Sequence, residues 1–432
     1  MKSRLFLFSA FLVVLLSLAA LPASPAQAQG ATITVTRADD PPPDGCAPGD
    51  CSLREAVIAA NATPAIPDTI DLPAGTYTLT LAGASEDASA SGDLDITANL
   101  TMNGAGAATT IVEACDSSGG PCTGIDRVVH VLSGTAEMFG LTVRNGSEFG
   151  GVGGGGIYNE GGTVMLSSST VSGNTAGNPG GGISNNQGTI TLTNSTVSGN
   201  SAPLGGGIVD ANPGAVITLA NSTVSGNSAS NNPASFGDGG GIYNEGQTVI
   251  LNSSTVSGNS ASGDGGGIWS FFGATLKNSI VANNTPSGSN CAFTITSLGH
   301  NLDSDGTCGL NPLSPFFDLP GVNPMLSPLA LNPPGSTKTH ALCTGAGVPD
   351  LSCGDRSPAI DTGLPTTDPD CSGGNDFDQR GVPRPQGAAC DIGAYEFVPI
   401  SAIPTLSAWG MLGLAGLLAS LMAIALRQRG TS

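Results

Sequence analysis

The chain has 432 residues, with 64 Gly and 30 Pro, and only 11% are charged, against about 25% in an ordinary globular chain. Its formal net charge is −20, from 13 Lys+Arg against 33 Asp+Glu, a polyanion that excludes nucleic acid and anionic lipid as partners of the body. A hydrophobic content of 39%, with Ile, Leu and Val at regular spacing, excludes a flexible low-complexity chain and predicts a long thin core.

Residues 1–28 carry a basic start (Lys2, Arg4), an apolar stretch and an Ala26-Gln27-Ala28 site, the pattern of a secretory signal peptide cut between Ala28 and Gln29. Residues 29–68 are expected to form an N-terminal cap around the segment "CSLREAVIAAN". There Ser52 and Glu55 make a capping box, and Leu53, Ala56, Val57 and Ala60 form one apolar stripe. An exposed sheet end invites strand pairing, so a helix laid across it is a sensible cap.

From about residue 69 to 300 the chain repeats itself. "STVSGN" occurs at 169–174, 195–200, 222–227 and 254–259, at intervals of 26, 27 and 32. Leu166, Leu192, Leu219, Leu251 and Leu276 are each followed five residues later by a Val, at 171, 197, 224, 256 and 281. Two residues before each Leu stands another apolar or small residue, from Val164 to Ala274, the period of a strand with one buried face. A third file, Ile157, Ile183, Ile208, Ile242 and Ile268, closes each "GGGI" segment. Three short strands per repeat, stacked about 4.8 Å apart, predict an all-β chain built as a parallel β-helix, right-handed by the general rule for parallel crossovers. Positive φ at the glycines is expected to turn each coil, and Asn174, Asn200, Asn227 and Asn259, which tolerate left-handed backbone, can each hydrogen-bond to their copy in the next coil. An insertion at 231–238 is expected to form a loop on one face.

Residues 301–397 form a Pro-rich, Cys-containing C-terminal region, and 398–432 a tail. In that tail an uncharged run from Leu406 to Leu426 precedes Arg427 and Arg429. It is long enough to span a bilayer, which takes about 20 residues, with the arginines inside and the body outside. Ten cysteines in an exported chain predict disulfides. The sequence leaves connectivity open; the simplest pairing is between neighbours, Cys46/Cys51, Cys115/Cys122, Cys291/Cys308, Cys343/Cys353 and Cys371/Cys390.

Several segments carry a family resemblance. "CSLREA" (51–56) resembles the segment that opens many bacterial right-handed parallel β-helix proteins. "SLGHNL" (297–302), "SPAIDTG" (357–363), "DQRGVPRP" (378–385) and "CDIGAYE" (390–396) resemble the choice-of-anchor domain, type Q. "IPTLSAWG" (403–410) resembles an IPTL-CTERM sorting signal, which places Ile403, Pro404, Thr405 and Leu406 in the motif and Arg427 and Arg429 in its basic tail. The resemblance implies a bacterial protein of the cell envelope or surface, tethered at least transiently by its C-terminal helix, or secreted once an exosortase-like enzyme has processed that tail. It implies no established reaction.

Parallel β-helices include pectin-cleaving lyases and polysaccharide hydrolases. A lyase acting on uronic acids needs cationic groups for the carboxylate, yet no Lys, Arg or His lies between Asn145 and Leu276. His130, His300 and His340 are scattered and are read as structural, and the two arginines of "RGVPRP" as a clasp. No catalytic set emerges. The sequence favours an interaction or adhesin-like surface protein, with an exported carbohydrate-active enzyme as the alternative. No cofactor motif is present; a Ca2+ at "DSDG" (303–306) is the one metal reading left open. The register of the Ile file gathers Asp210, Tyr243, Glu245, Trp269 and Phe271 near one end of the solenoid as a candidate face for a surface glycan or a cell partner. The competing reading is that these rings merely shield the last coils.

Overall fold

The computed structural model describes residues 30–399, apart from 65, 84–85, 116–123, 231–235, 247, 287–288, 346 and 372–375. Three parallel sheets wind about one core in a β-solenoid of the right-handed type. The Leu sheet has ten strands, from Thr32–Thr34 to Ile295–Ser297. The Val sheet has ten, from Gly75–Leu79 to Leu319–Pro320, and the Ile sheet eight, from Leu94–Ile96 to Cys291–Ala292. The three apolar files pair in register and are buried: Leu166 on Leu192 on Leu219, Val171 on Val197 on Val224, Ile157 on Ile183 on Ile208. Parallel pairing runs past the expected limits at both ends, to Thr32 and to Pro320. A fourth ladder of two-residue strands, from Ser147–Glu148 to Ser260–Ala261, was not legible in the repeat.

The six repeated residues have separate tasks. Their first Ser forms a buried ladder in which Ser169 N–H donates to Ser195 Oγ at 3.1 Å and Ser195 N–H to Ser222 Oγ at 3.1 Å. Val points into the core. Asn closes a second ladder, with Nδ2 of Asn174, Asn200 and Asn227 each donating to the next coil's Oδ1 at 2.9 Å. That is the coil-to-coil bond expected of these asparagines, while the left-handed turn sits on the glycine before each (Gly173, φ 65°). In "GGGI" only the first glycine needs positive φ, as at Gly180 (φ 86°). The third is glycine for close approach: a Cβ on Gly182 would meet Gly207 O at 2.6 Å and Asn200 Nδ2 at 2.9 Å.

The helix Leu53–Asn61 has the predicted capping box and buries Leu53, Ala56, Val57 and Ala60. It lies against the strands Asp68–Leu72 and Leu94–Ile96. Asn61 donates to Asp95 O (2.7 Å) and accepts from Thr97 N–H (3.0 Å), pairing backbone groups at the outermost strand of the Ile sheet.

Residues beyond 320 return to cover the outer face of the Val sheet. Gln379 Nε2 donates to Thr196 Oγ1 (2.8 Å) while its Oε1 accepts from Thr223 Oγ1 (2.5 Å), and His340 Nε2 lies 2.9 Å from Ser225 Oγ. Leu342, Ala359, Ile360 and Ile392 form a second core with Ile280, Ala282 and Leu302. The outward Thr and Ser of the middle repeats are therefore buried under this layer. The arginines of "RGVPRP" are buried as well, Arg380 against Asp378 (2.6 Å) and Arg384 against Glu396 (3.1 Å). Disulfides join Cys46–Cys51, Cys291–Cys308, Cys343–Cys353 and Cys371–Cys390. Cys115 is also disulfide-bonded, and Cys122 lies outside the described residues.

The expected signal peptide with its cleavage site at Ala28 and Gln29, and the tail from 400 with the expected sorting motif and its arginines, also lie outside the described residues. Among the described residues no helix is long and apolar enough to cross a membrane.

Candidate functional site

Alternation along the Ile sheet turns the middle residue of each strand outward. Successive coils therefore stack one outward file: Asp95, His130, Tyr158, Ser184, Val209, Tyr243, Trp269 and Ala292. Two clusters lie along it.

The first is the predicted aromatic group. Tyr243 and Trp269 stack with ring centroids 4.3 Å apart and planes 12° apart. Phe293 meets Trp269 edge-on at 4.9 Å, and Phe271 joins Phe293 at 5.6 Å. Phe271, Phe272 and Phe293 are more than half exposed (56%, 59% and 56%), whereas Tyr243 is buried beneath the stack. Phe293 holds φ 68°, a conformation that costs a bulky residue about 1–3 kcal/mol and that aims its ring at Trp269. The Tyr243 hydroxyl donates to Glu245 Oε1 at 2.7 Å; burial first, then this carboxylate, pushes the phenol's pKa up.

Asp210 does not join that group. Two residues after Ile208 it shares the inward phase, and it is fully buried in a polar ladder of Asn159, Asn185, Asp210, Asn244 and Ser270. Asn159 Nδ2 reaches Asn185 Oδ1 at 2.9 Å, but Asn185 Nδ2 reaches Asp210 Oδ1 only at 3.4 Å. Asp210 Oδ2 and Asn244 Oδ1 have no hydrogen-bond partner. Burial, opposed by the Asn185 contact, pushes the Asp210 carboxyl up to about 7.

The second cluster was not foreseen. A cleft of about 640 Å³ opens beside the first coils and is lined by Asp87, Asp93, Asp126, Arg127, His130, Glu148, Tyr158 and Glu160, among others. Arg127 stands between carboxylates, with Nε 3.3 Å from Asp93 Oδ2 and 3.8 Å from Asp126 Oδ1, and its guanidinium lies 5.1 Å from the centre of the Tyr158 ring. His130 Nδ1 lies 3.3 Å from Asp95 Oδ1 and Nε2 lies 3.5 Å from Glu160 Oε2. Burial, with repulsion from Asp95 and Asp126, pushes Asp93 up to about 8, and burial raises Asp126 too. The sequence did hold a signal: Val129 and Val131 face inward, so His130 between them must face out. What it lacked was the partner, because irregular first coils give no repeat from which to read register.

At "DSDG" both carboxylates serve their own turn. Asp303 accepts from Cys308 N–H (2.8 Å) and Asn290 Nδ2 (2.8 Å), and Asp305 accepts from the Thr307 hydroxyl (2.6 Å).

No family model matches the chain, and no curated protein matches it, so the motif resemblances rest on their own residues. Among solved structures the chain is similar to pectate lyase Pel9A, with a TM-score of 0.43 and 14% identity over 86% of this chain and 97% of that one.

Proposed function

We propose that this is an exported surface protein that binds an extended neutral saccharide along the outer side of the Ile sheet. The observation that carries this reading is the Tyr243–Trp269 stack, with Phe271, Phe272 and Phe293 exposed around it. Aromatic faces cover the apolar face of a sugar ring, while nearby carboxylates such as Glu245 accept its hydroxyl hydrogen bonds. The surplus of carboxylates in the cleft on the same side repels uronic-acid polymers and so supports a neutral ligand. On a glycan array, Trp269→Ala and Phe271→Ala are each expected to weaken binding at least about tenfold with the melting temperature nearly unchanged. Equal binding by both folded variants would sink the reading and leave the rings as a shield for the last coils.

A hydrolase is the second reading, favoured by the convergence of Asp93 and Asp126 on Arg127 in a cleft that Glu148 also lines, three strand steps (about 14 Å) and more from the aromatic stack. Release of reducing ends from the array ligands, abolished by Asp126→Asn, separates an enzyme from a binding protein.

Four disulfides among the described residues support an oxidising, extracytoplasmic location. The tail motif 403–406, the run to Leu426 and Arg427 with Arg429 support display through a processed anchor. Protein released from the surface is expected to begin near Gln29 and to lack the segment after the motif. Mass spectrometry that recovers an intact 427–432 peptide from that fraction would count against processing.

A further inference from the structure

We propose that Asp87, Asp95 and His130 bind a divalent transition metal, with Zn2+ the best match, at the floor of the cleft. The proposal does not depend on the ligand of the aromatic face. One donor atom from each residue lies within 4.8 Å of the other two. Asp95 is fully buried, and its two carboxylate oxygens are used differently. Oδ2 accepts from Ser89 N–H at 2.8 Å, which fixes the group; Oδ1 has no hydrogen-bond partner and faces His130 Nδ1. A buried acceptor left without a donor is an anomaly that a cation would remove.

The imidazole is set up for the same task. Its Nε2 lies 3.5 Å from Glu160 Oε2 without a hydrogen-bond partner of its own, and the tautomer with the proton on Nε2 leaves the Nδ1 lone pair for the two aspartates. A histidine that ligates a metal through one nitrogen commonly gives its other N–H to a carboxylate, and Glu160 stands beside Nε2 to take that part once the site is loaded. The spacing also fits. Bonds of about 2.0–2.1 Å in a tetrahedral site place donors about 3.4 Å apart. His130 Nδ1 and Asp95 Oδ1 are 3.3 Å apart, and Asp87 Oδ1, at 4.0 Å, belongs to a largely exposed side chain that can close the difference. Three donors leave a fourth position open to the cleft. One imidazole with two carboxylates suits a borderline ion, whereas Ca2+ takes six to eight oxygens. No free thiol competes among the described residues.

The test uses the full-length chain, stripped with EDTA and titrated calorimetrically with Zn2+, Mn2+ and Ca2+, with metal content measured after gel filtration. One Zn2+ per chain is expected. His130→Gln and Asp95→Asn should each weaken it at least about 100-fold, and Glu160→Gln about 10- to 100-fold. Circular dichroism checks that each variant is folded, and if Asp95→Asn is not, the outward-facing His130→Gln decides. Absence of Zn2+ uptake by the folded wild type would overturn the proposal. So would an affinity indifferent to His130, or a preference for Ca2+ over Zn2+.

Discussion

Arg54→Ala is expected to destabilise the N-terminal end of the solenoid by about 3–5 kcal/mol, the cost of stranding one partner of a buried ion pair. Arg54 is fully buried, and all five of its N–H donors are used. Nε and Nη2 grip Asp40 at 2.7 and 3.0 Å; Nη1 donates to Ser89 O and Asp93 O at 3.2 and 3.1 Å, and Nη2 to Gly92 O at 2.8 Å. Removing the guanidinium leaves the Asp40 carboxylate with only the Thr80 and Leu81 N–H groups, and three carbonyls unpaired. Arg54→Lys keeps the charge but has three donors, so it should recover only part of the loss. Because a solenoid can open locally, the loss should appear in hydrogen exchange across 86–97 before global unfolding. Urea denaturation with a loss below about 1 kcal/mol, and unchanged exchange there, would refute the prediction. The same bonds explain why "CSLREA" matters to the cleft: its arginine pins the loop that carries Asp87 and Asp93.

Asp210→Asn should stabilise the protein, by about 1–3 kcal/mol at pH 8. The ladder above and below Asp210 is made of asparagines, each giving an N–H to the next coil. At Asp210 that sequence of donors fails, and Asp210 Oδ2 and Asn244 Oδ1 are left as two acceptors without a donor. An amide supplies the missing N–H, as does a proton on the carboxyl, and burial pushes that carboxyl's pKa up to about 7. In the unfolded chain the group titrates near 4. Its contribution is therefore fully present below about pH 4 and is lost as pH rises through about 7. The variant should remove that part of the pH dependence, so wild type and Asp210→Asn converge in unfolding free energy near pH 4 and separate by pH 8. Parallel curves across that range would refute the ladder account.

How much of this was legible in the sequence depends on what fixes each residue's direction. The Leu, Val and Ile files were readable because a slip of one residue would turn every apolar side chain of a strand to water, and five near-identical repeats state the register five times. The capping box of Ser52 and Glu55, and the neighbour pairing of Cys46 with Cys51, are local and were readable for that reason. The aromatic stack followed from the same register, since Tyr243 and Trp269 each stand one residue past an Ile. Asp210 did not, because a position two past the Ile returns to the inward phase, where the carboxylate meets asparagines rather than solvent.

Tertiary structure alone decided the rest. The outward Thr196, Thr223 and Ser225 look like a free polar flank, yet Gln379 and His340, more than 100 residues away in the chain, bury them. His130 and Asp95 meet because two irregular coils happen to stack, with Ser89 turning one carboxylate oxygen toward the ring. Burial of apolar side chains writes the inward half of a solenoid into its period. The outward half is set by which loops and layers fold back over it, and those long-range contacts leave no period to read.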